Sequence, residues 1–238
     1  YIQNYTGKVV VIKYGGNAMI DEQLKAQVME DMVLLHLIGV KVVLVHGGGK
    51  HITALLDKLN VPTRFENGYR VTDEAALGCA ELALSAQVNK AIVTDLANLE
   101  VKGVGISGKD GGLITARVKN PALGRVGEIT QVDTRVLTAL LDADLIPVVS
   151  PIALGEDGGG LNCNADDAAR AVAEAIGADK LVFLTDTDGI LVNAPSWYVV
   201  NQNAGNADEA IAFLNALATT DAGHDYMVNK AAMVPAFT

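Results

Sequence analysis

Cysteine, aromatic side chains and positive charge are all scarce in this chain. Its two cysteines, Cys79 and Cys163, show neither CxxC spacing nor a companion histidine. That argues against a disulfide framework and for a reduced, cytoplasmic compartment. Eighteen Lys and Arg face 28 Asp and Glu, a formal net charge of −10. Such a balance argues against broad binding to nucleic acid or to an acidic membrane, while leaving room for a local basic pocket. No stretch approaches the roughly 20 apolar residues that span a bilayer. His36, His46, His51 and His224 have no metal-ligand spacing, so no dedicated metal site is expected. No signal peptide is visible; the chain opens at Tyr1 rather than Met, which leaves a removed leader open.

What the chain does contain is aliphatic. Half of its 238 residues are hydrophobic, 24 are glycine, and only 5% are aromatic. This fits α/β layers better than an all-β sandwich, in one large domain or two joined lobes. Apolar strands alternate with helical patterns. The stretch from Val9 to Tyr14 reads as a strand, and Asp21 to Gly39 as a helix with Leu24, Val28, Met32 and Leu35 at helical spacing. Asp21 is its expected N-cap and Gly39 its stop. Val42–Val45 is a strand and His51–Leu59 a helix; a further helix starts at Thr72 or Asp73 and runs to about Leu99, with Leu77, Leu82 and Leu84 among its apolar positions. Val101–Ile106 is a strand, Leu113–Val132 a β-hairpin with a glycine-containing tip, Asp133–Ala143 a helix and Leu145–Pro151 a strand. Asp166–Ile176 and Lys180–Thr185 add a final helix and strand. Repeated strand–helix–strand order predicts a mostly parallel sheet with right-handed crossovers.

Two strands end in glycine turns. Four β-branched residues, Val9 to Ile12, run into Lys13-Tyr14-Gly15-Gly16, and Lys41 to Lys50 repeats the plan as KVVLVHGGGK. Each turn places backbone N–H groups at the edge where open α/β sheets bind ligands, an arrangement suited to phosphate. Neither turn matches Gly-x-x-x-x-Gly-Lys-Ser/Thr or Gly-x-Gly-x-x-Gly. The signal therefore points to phosphate handling outside those two families.

The ordered segments IKYGGNAM, VHGGG, NGYRVTD, GISGKDGGLITA, NCNADDAA and LTDTDGIL resemble those of N-acetyl-L-glutamate kinases, within the amino-acid kinase superfamily. The likeness is collinear from about Tyr1 to Leu191, roughly four-fifths of the chain. It implies a three-layer αβα sandwich, with residues 1–178 as an acetylglutamate-binding and dimerising lobe and 179–238 as a shortened nucleotide lobe. It also implies transfer of the γ-phosphoryl of ATP, with Mg²⁺ accompanying the nucleotide, to the side-chain carboxylate of N-acetyl-L-glutamate in arginine biosynthesis. Two other outcomes are compatible with the residues: a kinase for a longer acetylated amino acid such as N-acetyl-aminoadipate, or a substrate-binding variant without turnover.

By motif match, the resemblance makes Lys13, Lys230 and Asp166 catalytic, with Asp166 organising the two lysines. It assigns Gly48, Gly49, Arg70, Asn162 and Asn164 to the substrate, with Arg70 gripping the α-carboxylate. Gly15, Gly16, Gly47, Thr185, Asp186, Asp188 and Gly189 fall to phosphate and nucleotide. Asn162 and Asn164 would otherwise serve as helix N-caps, Asp110 is expected to be a local turn residue, and Cys163 a small buried one. The lysine at Lys230 follows Asp225-Tyr226 where relatives carry a glycine pair, and an aspartate there would repel phosphate. A homodimer is implied; some relatives form hexamers, and the Tyr1-Ile2-Gln3 opening resembles the end of the extra helix those carry. A PII-type signalling partner is known among relatives. No nucleic-acid or membrane partner is expected.

Overall fold

The computed structural model describes residues 5–66 and 68–184. A parallel sheet runs through them in the order β11-β1-β2-β8-β5. Its strands are β1 (Val9–Tyr14), β2 (Lys41–His46), β5 (Gly103–Ser107), β8 (Ile146–Ser150) and β11 (Lys180–Phe183). β1 to β2 steps to one side through helix α1 (Glu22–Leu37), and β11 is added on the other side of β1 after α6 (Ala165–Ile176). The carboxyl end of β1 is thus a topological switch point, where open α/β sheets leave a crevice.

Alternation along the strands divides the core in two. Val11, Val43, Val45 and Val149 face α5 (Arg135–Asp142) and α6, packing on Leu137, Leu141, Ala169 and Val172. Val10, Ile12, Val42, Leu44 and Val148 face the other way, onto Met29 and Met32 of α1 and onto Ile92 and Leu96 of α4 (Asn89–Asn98). Two apolar faces explain why these strands read as continuous Val/Ile/Leu runs rather than alternating ones. The result is the three-layer αβα sandwich that the resemblance implied.

Above the carboxyl edge sits a small second layer. β6 (Ile114–Val118) and β7 (Val126–Val132) form the expected antiparallel hairpin, but they close into a barrel with β9 (Ile152–Gly155) and β10 (Gly160–Cys163). The β9–β10 hairpin and the two-residue strands β3 (Phe65–Glu66) and β4 (Tyr69–Arg70) were not anticipated from sequence. Their segments are too short and polar for a period of two to stand out.

The helix expected from residue 72 to 99 is a composite. After α3 (Glu74–Glu81), capped by Asp73 through a bond from the Ala76 N–H, the segment Leu82–Val88 is π-helical before α4 resumes. A π turn is wider than an α turn and shifts the phase of the apolar positions. Leu77 and Leu84, seven residues apart, share the buried face, whereas Leu82 faces outward at 55% exposure. On α1, Leu24 is likewise exposed and Met29 and Met32 fill the core. α2 (Gly49–Lys58) starts two residues before its expected position, directly at the glycine turn. No helix among the described residues is long and apolar enough to cross a membrane.

Asp21 caps α1 as expected: its Oδ1 accepts from the N–H groups of Gln23 and Leu24, each at 2.9 Å. Asp21→Ala leaves those donors to water, and a loss of about 1 kcal/mol of unfolding free energy in urea is expected, without change of fold.

Candidate functional site

β1 and β2 pair in register from Val9↔Lys41 to Tyr14↔His46, and the Gly47 N–H donates to the Tyr14 carbonyl at 2.8 Å. The ladder therefore continues one rung into the turns, bringing Gly15-Gly16 and Gly47-Gly48 to the same level. Gly15 is needed for room: a Cβ there would lie 2.8 Å from Lys13 Nζ, so the lysine folds across the bare turn. Gly48, at φ +158°, is the N-cap of α2, and a Cβ on it would lie 2.6 Å from Leu84 Cδ2 of the π segment. The N-cap Gly48 makes no side-chain cap bond, and the start of α2 is the helix end whose dipole favours an anion.

Lys13 Nζ pairs with Asp166 Oδ1 at 2.9 Å, with the lysine side chain 15% exposed and the aspartate 55%. Asp166 stands in the first turn of α6, where the helix dipole favours a carboxylate. Asn164 is the cap of that helix, its Oδ1 accepting from the Asp166 and Asp167 N–H groups at 2.8 and 3.1 Å. Capping occupies only the oxygen of this amide. Asn164 also helps to line a cavity beside the glycine turns.

That cavity, about 210 Å³, is bounded by the three glycines 47–49, Arg70, Tyr69, Phe65, Leu84, Val126, Asn162 and Asn164 among others. Arg70 is only 8% exposed. Its Nη2 donates to the Gly49 carbonyl (3.0 Å) and Thr53 Oγ1 (2.8 Å), its Nη1 to Thr63 Oγ1 (3.3 Å), and its plane stacks 4.6 Å from the Phe65 ring centre. Among the described residues no carboxylate forms an ion pair with it; burial lowers its pKa, an effect that the more distant Asp57 partly offsets. A buried guanidinium with no carboxylate in contact, at a cavity wall, is a receptor for an anion, because a buried charge is stabilised by a contacting counter-charge. A second cavity of about 190 Å³ lies between α1 and α4, but Lys25 in its wall is already paired with Asp95 at 3.1 Å.

His46 packs and hydrogen-bonds beneath the glycine turn, and sequence reasoning missed its partner there, Asn89. His46 and Asn89 are fully buried. Asn89 Nδ2 donates to His46 Nε2 at 3.1 Å and to the Val148 carbonyl at 2.9 Å. The imidazole must then carry its proton on Nδ1, which donates to the Gly47 carbonyl at 2.9 Å. This bond turns the Gly47 carbonyl inward. Asn89 closes the π segment, so the irregular helix and the turn share one network. No local pattern identifies Asn89; only the pairing of β2 with β8 and α4 brings it to His46. Asp110, by contrast, is the turn residue expected, accepting from the Ser107 N–H and Oγ. Cys163 is buried, and burial pushes its thiol pKa up to about 12, so it is inert as a nucleophile.

Lys13, Asp166, Gly15, Gly16, Gly47, Gly48, Gly49, Arg70, Asn162 and Asn164 thus lie around one edge of the sheet. Thr185, Asp186, Asp188, Gly189 and Lys230 lie outside the described residues.

With this geometry in hand, comparison with known proteins is specific. Residues 8–231 match the amino acid kinase family. The chain belongs to that family. Among curated proteins it is 47% identical to the acetylglutamate kinase of Leptospira biflexa over 205 residues, covering 81% of this chain and 70% of that protein. It is equally similar, at 47%, to the acetylglutamate kinase of Caldanaerobacter subterraneus, covering 81% of this chain and 65% of the relative. The chain thus spans about two-thirds of the length of these relatives. Among solved structures, N-acetylglutamate synthase from Neisseria gonorrhoeae aligns at 29% identity and TM-score 0.68, covering 80% of this chain and 44% of that one. Giardia carbamate kinase, at 17% identity and TM-score 0.55 over 79% of this chain and 75% of that one, shares the fold.

Burial holds the His46 imidazole neutral, lowering its pKa to about 4. The unfolded chain titrates near the ordinary value of about 6.5 and takes up a proton the folded chain refuses. Stability is expected to be independent of this group above about pH 6.5 and to fall by up to about 3 kcal/mol as pH drops toward 4. Urea unfolding at successive pH values should show this decline in the wild type and a smaller one in His46→Gln.

Proposed function

We propose that this chain transfers the γ-phosphoryl of ATP directly to the side-chain carboxylate of N-acetyl-L-glutamate, giving an acyl phosphate. The observation that carries the proposal is Arg70, a buried cation without a carboxylate in ion-pair contact among the described residues, set in the wall of a cavity that Gly47, Gly48 and Gly49 also line. Its guanidinium fork suits the substrate α-carboxylate, which would supply the missing counter-charge. Asn162 and Asn164, on the opposite side of the cavity, offer amide groups to the acetylamino end.

Direct transfer requires in-line placement and cancellation of charge on the moving phosphoryl, with no covalent enzyme intermediate. Lys13 is assigned the second task, because its ammonium stands at the end of β1 beside the glycine turns. Its partner Asp166 keeps that ammonium from collapsing onto the phosphates before the nucleophile arrives. Gly15, Gly16 and Gly47 donate backbone N–H bonds to phosphoryl oxygens, and these strengthen as charge develops. Lys230 is assigned the second catalytic ammonium, and Thr185, Asp186, Asp188 and Gly189 the nucleotide. Mg²⁺, held mainly by phosphates and water, would neutralise the polyphosphate. The exposed Leu82 supports a homodimer formed over the α3–α4 run.

A hydroxamate assay for acyl phosphate tests the assignment. Lys13→Ala should lower kcat by about 10²-fold or more while leaving the half-saturating acetylglutamate concentration nearly unchanged. Arg70→Ala should do the reverse, raising that concentration by about 10- to 100-fold. An unchanged kcat in the first variant, or an unchanged half-saturation in the second, would remove that residue from its role.

A further inference from the structure

One residue outside the cavity is bonded to both of its polar walls. The Arg125 N–H donates to the Thr72 carbonyl at 2.6 Å, the Thr72 N–H donates to the Leu123 carbonyl at 2.9 Å, and Thr72 and Gly124 form an isolated parallel bridge. Thr72 is itself fully buried, and its Oγ1 donates to the Arg70 carbonyl at 2.8 Å. On the opposite side the Asn162 N–H donates to the Arg125 carbonyl at 2.9 Å. The side chain then reinforces what the main chain begins. Arg125 Nε donates to the Gly160 carbonyl at 3.1 Å, and Nη1 and Nη2 donate to Asp157 Oδ2 and Oδ1 at 2.6 and 3.3 Å. Glu74 Oε1, at the start of α3, stands 3.5 Å from Nε.

We propose that Arg125 is a positioning residue for the acetylglutamate site, fixing the separation of Arg70 and Asn162 while lining no part of the cavity itself. The inference rests on the substrate assignment made above. Arg70 sits on a strand of two residues, and Asn162 on a hairpin of two four-residue strands. Elements this short hold no fixed distance by their own ladders. Arg125 supplies that distance, because it joins the end of the Arg70 segment, the start of β7 and the β9–β10 turn through one planar, multidentate group. Two glycines make room for it: a Cβ at Gly124 would overlap the Thr72 carbonyl, and one at Gly159 would overlap Arg125 Nη2. The ion pair is maintained across the working pH range, since Arg125 holds the Asp157 carboxyl at about 2.

Arg125→Gln, Arg125→Lys and Asp157→Asn test the role through two readouts. In steady-state assays, Arg125→Gln should raise the acetylglutamate KM by about 10-fold, with kcat and the ATP KM altered less than about threefold. Asp157→Asn should shift KM in the same direction by less, the double variant should match Arg125→Gln alone, and Arg125→Lys should recover part of the loss. In hydrogen exchange without ligand, Arg125→Gln should speed exchange of the Asn162 and Thr72 amides by about 10-fold while leaving the β1–β2 ladder protected. Should Arg125→Gln not fold, Asp157→Asn on its exposed turn carries both readouts. Unchanged exchange at Asn162, or kcat falling with KM constant, would overturn the positioning role. A wild type that makes no acyl phosphate would instead overturn the substrate assignment, and the exchange data would then decide the role of Arg125 by themselves.

Discussion

The site depends on two adjacent parallel strands ending at the same height without side chains in the way. β1 and β2 are paired in full register, and the bond from Gly47 N–H to the Tyr14 carbonyl carries the ladder into the turns. From there the consequences are geometric. Lys13, the last residue but one of β1, lies over Gly15, where a Cβ would stand 2.8 Å from its Nζ and push the ammonium aside. α2 can begin at once after Gly48 only because a larger residue would strike Leu84. The π segment, the His46–Asn89 pair and the uncapped start of α2 all follow from holding that second turn close to the sheet.

Electrostatics complete what the turns begin. Lys13 has a carboxylate partner in Asp166, so its charge is oriented rather than unmet. Arg70 is held instead by two threonine hydroxyls, a main-chain carbonyl and an aromatic face. Neutral acceptors fix its direction without cancelling its charge. One cation is therefore tethered and the other left to be satisfied from the cavity, which is the division of labour expected when one phosphoryl moves and one carboxylate is merely held.

Much of this was legible in the sequence wherever the signal was local. Val9–Tyr14 and the caps Asp21 and Asp73 declare themselves by runs and spacing, and the glycine turns by their attachment to apolar strands. Lys13, Arg70 and Asp166 were reached through ordered motifs, and the fold brings them to one edge of the sheet. What escaped was non-local. His46 reads as a lone histidine before a turn until Asn89, 43 residues away, is placed against it. The β9–β10 hairpin is stabilised by pairing with β6 and β7 rather than by its own composition, so residues 152–163 carry no strand signature.

The central claim is that Arg70 is kept charged and buried to receive the α-carboxylate of N-acetyl-L-glutamate. Its most direct test is calorimetric titration of the wild type with N-acetyl-L-glutamate and with the analogue in which only the α-carboxylate is replaced by an amide. The acid is predicted to bind, and the α-amide to bind at least about 10-fold more weakly, since a neutral amide cannot meet the buried guanidinium. Equal affinity for the two would contradict the account.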